Sequence, residues 1–239
     1  MTSITFNSTK LTLHGVLSLP DHYQTGVLFL HGGGHSTNFS RYTYLQKQFS
    51  HHQIASLAFD FRGCGQSGGR FETGSLANRL SDAESALKVF IQKSKLPASS
   101  IYLWGSSMGG HLACRLTENH LDLKGIILQS AAAYAPASET LPLNHQFTQV
   151  ISTPNSWVDS PAFSALEAFP GKILVVYGEN DTVVPKDLQH RYHSIAQTRG
   201  GQSVILPGGV HSLLRPQTPL QTAVLEKLAD LGGKFISST

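Results

Sequence analysis

With 239 residues, of which 40% are hydrophobic, the chain is long enough to bury a large core and short enough to form one domain. Its formal net charge is only +3, 14% of its residues are charged and no Lys/Arg cluster occurs, so the composition argues against nucleic-acid binding. Its two cysteines offer no disulfide framework, and no segment resembles a signal peptide or a membrane span, so we expect a cytoplasmic protein.

Apolar runs alternate with helical patterns along the chain, and this alternation predicts an α/β fold. Residues 3–6 and 11–19 indicate two antiparallel strands, since polar and apolar side chains alternate there. Buried strands of a mostly parallel sheet are predicted at residues 27–30, 54–59, 101–104, 125–128, 172–177 and 203–206. Helices are predicted on both faces of the sheet, at about residues 39–49, 76–91 and 218–235, after Ser107 and after Pro185. Functional loops are expected at the carboxyl ends of the strands.

The motif G-x-S-x-G, formed by Gly105, Ser107 and Gly109, is the strongest candidate for chemistry. An apolar strand leads into it, and the residues after it have the spacing of one helix face. A serine on a sharp strand-to-helix turn exposes its hydroxyl beside the positive end of a helix, which favours an oxyanion. Because the same motif arises by chance in chains rich in glycine and serine, it needs catalytic partners elsewhere in the chain.

Two later loops supply those partners. A serine hydroxyl becomes a nucleophile near neutral pH when a histidine takes its proton and a carboxylate orients that histidine. His211 follows the last predicted strand, and Asp181 follows the strand before it, so the predicted catalytic triad is Ser107, Asp181 and His211. Glu179 and Asp187 compete for the role of the acid, but Glu179 has the wrong loop position and Asp187 lies inside a predicted helix.

Five motifs in this order resemble those of serine hydrolases of the α/β-hydrolase fold. They are the glycine loop, the loop after the next strand and the three triad loops, at residues 31–33, 60–67, 105–109, 178–185 and 208–211. The small size and short insertion are similar to esterases of the feruloyl-esterase, monoglyceride-lipase and acylaminoacyl-peptidase neighbourhood, although the lack of a large cap departs from the monoglyceride lipases. We therefore expect a single α/β-hydrolase domain over residues 1–239.

Two backbone N–H groups are expected to form an oxyanion hole. One belongs to Met108, next to the candidate nucleophile, and the other to Gly33, with Gly34 as the second candidate. His35, at the end of the glycine loop, and Trp157 are the candidate substrate-binding residues.

Several residues have both a functional and a structural interpretation. His31 and His35 have the i, i+4 spacing of a metal pair, but the three glycines between them disfavour a helix. No metal site is therefore predicted, and His31 is expected to fix its loop by hydrogen bonding. Arg62 is a candidate for binding an anionic substrate, although a structural role is favoured. Cys64 is interpreted as incidental, and the two histidines of the helix after Pro185 are expected on its exposed face.

Residues 131–171 form a longer connection than a crossover between parallel strands requires. Because this insertion follows the carboxyl end of a strand, we expect it to lie over Ser107 as a small lid. Phe147, Trp157 and Phe163 supply apolar surface that either packs inside the lid or contacts substrate. A lid of this length closes only part of a pocket, so short acyl chains or compact aromatic acyl groups are expected.

Together these features predict a serine hydrolase that cleaves small-molecule carboxylic esters through an acyl-enzyme, with no metal or organic cofactor. A peptidase or thioesterase with the same triad is the first alternative, and a non-hydrolytic binding protein on this scaffold is the second. The intact triad and glycine loop argue against the binding protein. The sequence does not predict the oligomeric state.

Overall fold

The computed structural model describes residues 1–238, so the last residue of the predicted 1–239 domain lies outside the described residues. The described residues are arranged around one sheet. Within residues 1–238 the sheet has eight strands: β1 (Thr2–Ser8), β2 (Leu11–Ser18), β3 (Thr25–Leu30), β4 (Ile54–Phe59), β5 (Ile101–Ser106), β6 (Gly125–Gln129), β7 (Lys172–Gly178) and β8 (Gln202–Leu206). Their spatial order is β1-β2-β4-β3-β5-β6-β7-β8. β2 pairs antiparallel with β1 and β4, and all other neighbours are parallel, so the predicted mostly parallel sheet is confirmed.

The α-helices connect the strands and cover the sheet. They are α1 (Thr43–His51), α2 (Leu76–Ser94), α3 (Met108–Thr117), α4 (His145–Ile151), α5 (Pro161–Ala168), α6 (Lys186–Thr198) and α7 (Pro219–Ser237). The helix predicted at 39–49 begins as a separate 3₁₀ turn, Phe39–Tyr42, and the side chain of Asn38 caps this turn by accepting the N–H of Ser40. Similar caps at Ser75 and Thr218 begin α2 and α7.

Alternation along the buried strands divides the core into two layers. Leu103 belongs to the layer that β5 shares with α2, α3, α5 and α6. Its neighbour Trp104 belongs to the opposite layer, which contains α1 and α7. Because successive side chains of a strand point to opposite faces, one apolar run serves both layers, and the predicted coverage of both faces is confirmed.

The connection between β6 and β7 contains both α4 and α5. α5 packs against α3 and α6, so it serves as the crossover helix that leads to β7. The residues before it are anchored to α3 through Glu139, whose carboxylate lies 3.1 Å from Nε2 of His111 and 3.2 Å from Nε of Arg115. Only the part of the connection before α5 is therefore additional to an ordinary crossover.

Two adjacent glycines of α7 offer a test of the layer that contains Trp104. A Cβ atom on Gly232 would overlap the Trp104 ring, whereas a Cβ on Gly233 would meet its nearest neighbour, the His52 ring, at 3.8 Å. Gly232→Ala is expected to lower the free energy of unfolding by about 1–3 kcal/mol through overpacking. Gly233→Ala, the matched control, is expected to raise it by roughly 0.5–1 kcal/mol, because alanine favours a helix more than glycine does.

Urea denaturation of the two variants and the parent protein measures both changes, provided that the m-value is unchanged. Equal stabilities of the two variants would contradict the packing of Trp104 against α7.

Candidate active site

Ser107 lies on the sharp turn between β5 and α3, and its backbone has the unusual angles φ 52° and ψ −117°. Non-glycine residues rarely adopt a positive φ, and such strain concentrates at functional sites. The flanking glycines permit the turn, because a Cβ on Gly105 would overlap the carbonyl oxygen of Gly109 and a Cβ on Gly109 would overlap that of Leu30. Ser107 is consequently held away from both elements and remains partly accessible.

His211 connects Ser107 to Asp181 through two hydrogen bonds. Its Nε2 lies 3.2 Å from the hydroxyl oxygen of Ser107, and its Nδ1 lies 2.9 Å from Oδ2 of Asp181. An ionised carboxylate only accepts hydrogen bonds, so Nδ1 carries a proton and Nε2 is free to accept the proton of the serine. The three residues predicted from three separate loops are therefore brought together at the carboxyl edge of the sheet.

The loop after β7 holds the Asp181 carboxylate in its ionised form. Oδ1 accepts the N–H groups of Val183 at 2.9 Å and Val184 at 3.1 Å. Burial acts to raise the pKa of Asp181, but the hydrogen bond and charge of His211, together with these two N–H groups, leave the pKa below its ordinary value. A buried carboxylate with a depressed pKa stays charged near neutral pH and keeps His211 oriented.

The two competing acids lie outside this arrangement. Glu179 is exposed, and its carboxylate accepts the N–H of Gly208 at 3.0 Å, which fixes the loop that leads to His211. Asp187 is exposed in the first turn of α6. Neither carboxylate is hydrogen-bonded to His211.

His31 fixes the glycine loop, as predicted. Its Nδ1 donates to the carbonyl of Gly32 at 2.8 Å, and its Nε2 accepts the N–H of Phe61 at 3.0 Å. Burial and the charge of Arg79 lower the pKa of His31 to about 3, so the ring is neutral, as these two bonds require. With both ring nitrogens occupied, His31 has no lone pair for a metal ion.

The two candidate donors of the oxyanion hole lie next to each other. A Cβ atom on Gly33 would lie 2.5 Å from the terminal methyl of Met108, and both residues line a cavity that reaches Ser107. Gly34 lines the same cavity, whereas a Cβ atom on Gly32 would lie 3.4 Å from the Cβ of Ser107.

A buried arginine lies beneath this loop. The guanidinium of Arg79 contacts Sδ of Met108 and Sγ of Cys64, both at 3.3 Å, and lies over the rings of Phe61 and Phe71. Burial raises the pKa of the Cys64 thiol despite this cation. Cys64 is thus a buried, protonated packing residue, in agreement with its interpretation as incidental.

Three cavities meet at Ser107. Two are largely apolar: one of about 280 Å³, which we call the α4 cavity, is lined by Tyr134, Phe147 and Ile151, and one of about 210 Å³, the Trp157 cavity, also includes Val184. The third, of about 40 Å³, which we call the polar cavity, is lined mostly by polar residues, among them His211. Most of the apolar lining comes from the connection that precedes α5.

The two candidate substrate-binding residues occupy different positions. Trp157 lines the Trp157 cavity together with Ser107. His35 is 73% exposed, lies against the ring of Phe71 and is not among the residues that line the three cavities. Of the other two aromatic residues, Phe147 lines the α4 cavity, whereas Phe163 is buried against Tyr192 in the core.

Two expectations about polar residues are settled by contacts. Arg62 forms a forked ion pair with Asp82, at 2.7 and 3.0 Å, so its charge is neutralised within the fold and its role is structural.

Of the histidines on α6, His190 is exposed, but the expected exposure of His193 is wrong. Its ring packs against Tyr177, and both of its nitrogens are buried without a hydrogen-bond partner among the described residues.

Several residues of the polar cavity were missed from the sequence, namely Arg41, Gln129, Ser130 and Arg215. Gln129 ends β6 and Ser130 directly follows it, so the rule that places functional residues at the carboxyl ends of parallel strands is a signal for them. Arg41 and Arg215 are 174 positions apart, and no local pattern links them.

Neither a metal cluster nor a membrane span is found in the described part of the chain. Among residues 1–238, no three His, Cys, Asp or Glu side chains converge as metal ligands. No helix within these residues is both long enough and apolar enough to cross a bilayer.

Known structures and proteins resemble the chain to different degrees. The ferulic acid complex of Est1E from Butyrivibrio proteoclasticus superposes with a TM-score of 0.75 over 98% of this chain and 100% of that one, at 17% identity. The α/β hydrolase GrgF from Penicillium sp. sh18 gives a TM-score of 0.75 over 98% and 97%, at 15% identity. Likeness at these identities shows the fold alone, so the predicted α/β-hydrolase fold is confirmed.

Among curated proteins, the uncharacterized protein YfhR of Escherichia coli O157:H7 is 26% identical over 186 residues. The match includes 76% of this chain but only 62% of the length of YfhR.

A family model described as "serine aminopeptidase, S33" matches residues 21–167, a span that contains the glycine loop and Ser107. With more than half of its length matched and the α/β-hydrolase fold in place, the chain belongs to this hydrolase family.

Proposed function

We propose that the protein is a serine hydrolase that cleaves carboxylic esters of short or compact acyl groups through an acyl-enzyme. The observation that carries the proposal is the chain of hydrogen bonds from the Ser107 hydroxyl through His211 to the buried Asp181 carboxylate. This arrangement has the chemical components that activate a serine: a base within reach of the hydroxyl and an acid that fixes the tautomer of the base.

The mechanism follows from these positions. The hydroxyl oxygen of Ser107 attacks the ester carbonyl while its proton moves to Nε2 of His211. The oxyanion that forms accepts hydrogen bonds from the N–H groups of Gly33 and Met108. His211 then donates the proton to the leaving alkoxide, which departs as the alcohol and leaves an acyl-Ser107 ester. A water molecule, deprotonated by His211, attacks this ester and releases the carboxylic acid and free Ser107.

The cavities support a compact acyl group. The α4 cavity contains Gly33 and Met108, and an acyl chain bound there extends from a carbonyl held by their N–H groups. Its volume of about 280 Å³ is close to the lower end of the range of roughly 300–1,000 Å³ that is typical of sites for drug-sized ligands. In this proposal the part of residues 131–171 before α5 acts as the lid, since it supplies Tyr134 and Phe147 to the wall.

Aminopeptidase activity, which the family description suggests, is less well supported. An aminopeptidase needs an anionic group to hold the free α-ammonium of its substrate. Among the described residues, none of the three cavities at Ser107 is lined by Asp or Glu, and the polar cavity contains two arginines. Matched ester, thioester and anilide substrates of one short acyl group separate the three activities, and the ester is expected to have the highest kcat/KM.

Non-hydrolytic binding on this scaffold is the remaining alternative. A fluorophosphonate labels a serine only when a base activates it, so labelling of Ser107, together with steady turnover of an aryl ester, is the expected result. A folded protein that neither reacts with the probe nor turns over the ester would contradict the proposed hydrolase.

Replacement of the triad is expected to abolish most of the activity. Ser107→Ala and Asp181→Asn should each reduce kcat by roughly 10⁴-fold or more, because the three residues act as a unit and Asn favours the wrong tautomer of His211. Glu179→Gln is the matched control, since it alters an exposed carboxylate of the same loop, and it should retain near-parental turnover. Equal losses in Asp181→Asn and Glu179→Gln would contradict the assignment of the acid.

Gly33→Val tests the loop donor of the oxyanion hole. The added side chain would overlap the Met108 thioether and displace the N–H of residue 33, and loss of one such donor costs roughly 10²–10³ in kcat. Met108→Leu is the control, because it changes the same contact but keeps both N–H groups. If Met108→Leu lost as much kcat as Gly33→Val, the effect would come from packing, and Gly34 would become the candidate donor.

A series of p-nitrophenyl esters tests the size of the pocket. We expect kcat/KM to be highest for short acyl chains and to fall for long ones. Trp157→Ala should change the preference among acyl chains, because Trp157 lines a cavity at Ser107. The rate of fluorophosphonate labelling should stay near that of the parent, because Trp157 takes no part in the hydrogen bonds of the triad. Val158→Ala, at an exposed neighbouring position, is the control. A maximum at long-chain esters would contradict the compact pocket.

A further inference from the structure

The polar cavity beside Ser107 differs from the two apolar cavities in its smaller volume and in the polar residues that line it. It has a volume of about 40 Å³, and its lining includes Thr37, Arg41, Ser130 and Arg215 as well as His211. A volume of this size holds one or two water-sized groups, so it accommodates a compact polar group rather than an acyl chain.

The two arginines of this cavity have no acidic partner in the described part of the chain. Arg62, Arg115 and Arg191 each form an ion pair with a carboxylate, whereas neither the partly buried Arg41 nor the exposed Arg215 lies within ion-pair distance of a carboxylate in residues 1–238. Three arginines elsewhere, Arg70, Arg79 and Arg199, also have no carboxylate partner there, so what distinguishes Arg41 and Arg215 is that they line one cavity together. Partial burial and the nearby charge of Arg215 lower the pKa of Arg41, which reflects repulsion between the two cations. A bound anion would relieve this repulsion and accept hydrogen bonds from both guanidinium groups.

Ser130 provides an independent indication of a ligand. It is 1% exposed, and its hydroxyl is buried without a hydrogen-bond partner among the described residues. Its backbone has a positive φ of 47°, which is unusual for a residue other than glycine. Buried hydroxyl groups nearly always have a partner, and Ser130 lines the same cavity as the two arginines, so its hydroxyl is a candidate donor to an anionic oxygen bound there.

The position of the cavity relative to the triad indicates which part of an ester would reach it. His211 must donate its proton to the leaving oxygen, so the alcohol part of the substrate lies on the side of His211. The polar cavity is lined by His211, Ser212 and Arg215, whereas the candidate oxyanion donors Gly33 and Met108 line the α4 cavity on the acyl side.

On the basis of the ester hydrolysis proposed above, we infer that the polar cavity is a subsite for a carboxylate on the alcohol part of the ester, bound by Arg41 and Arg215 and by the hydroxyl of Ser130. The substrate class is therefore an acyl ester of a short hydroxy acid. The planar carboxylate matches the fork of each guanidinium, and the small volume limits the alcohol to a short chain.

Two esters of equal size test this subsite: O-butyrylglycolate, which carries a carboxylate, and O-butyrylglycolamide, its neutral analogue. Acid release measured in a pH-stat gives kcat/KM for both esters. The carboxylate ester should be favoured by roughly 10-fold or more, as expected for a charge-assisted hydrogen bond. Arg41→Gln and Arg215→Gln should each remove most of this preference, because each change lowers kcat/KM for the carboxylate ester much more than kcat/KM for the amide.

Arg191→Gln is the matched control, because Arg191 pairs with Glu167 on the surface and does not line a cavity at Ser107. Ser130→Ala should weaken the preference by a smaller factor than either arginine change, since it removes a neutral donor. Thermal unfolding of each variant establishes that it is folded.

Binding measured separately from turnover distinguishes this subsite from the proposed reaction. Calorimetric titration of the Ser107→Ala protein with the two esters should show tighter binding of O-butyrylglycolate. A protein with both Ser107→Ala and Arg215→Gln should bind the two esters with equal affinity. Equal binding of the two esters, or a preference that survives in the folded Arg41→Gln and Arg215→Gln proteins, would overturn the subsite even if both esters are hydrolysed. Preferential binding without hydrolysis by the parent protein would instead support the subsite and overturn the proposed esterase.

Discussion

The backbone contact between the turn at Ser107 and the neighbouring strands is the constraint on which the rest of the site depends. The segments around Gly105, Gly109 and Gly110 approach one another, Leu30 and Ala131 too closely for any side chain to be added. This approach sets the amino end of α3 beside the end of β3. Main-chain packing therefore makes the glycine loop, Met108 and Ser107 adjacent, and this adjacency does not depend on the longer side chains around them.

Charge is distributed around this turn in an uneven way. The Asp181 carboxylate accepts hydrogen bonds from His211 and from backbone N–H groups, and Arg62 is paired with Asp82, whereas Arg79 is fully buried among sulfur atoms and aromatic rings. A cation in such surroundings acts over a longer distance than one in water, because little solvent screens it. His31 shows this effect, since burial, with the charge of Arg79 as the second cause, lowers its pKa and keeps the ring neutral.

The sequence predicted those features that depend on local patterns. Period-2 alternation and short apolar runs gave the strands, and the glycines around Ser107 gave the turn, because such a turn admits few other residues. The loops of Asp181 and His211 followed from the rule for the carboxyl ends of parallel strands. Features that depend on contacts between distant segments were not predictable. The proximity of Arg41 and Arg215 and the burial of the His193 ring both arise from packing of loops and helices whose own sequences show no sign of it.

The connection before α5 is attached to the fold at its base, whereas the stretch that follows is mostly exposed. Ala132 donates its N–H to the carbonyl of Ser107 at 3.0 Å, and Glu139 joins the same segment to α3 through His111. The exposed stretch that follows, around residues 144–158, supplies Phe147, Ile151 and Trp157 to the cavities without taking part in those attachments. Such a layout lets substitutions in the exposed stretch reshape the two apolar cavities, while the attachments keep the base of the connection beside the turn at Ser107.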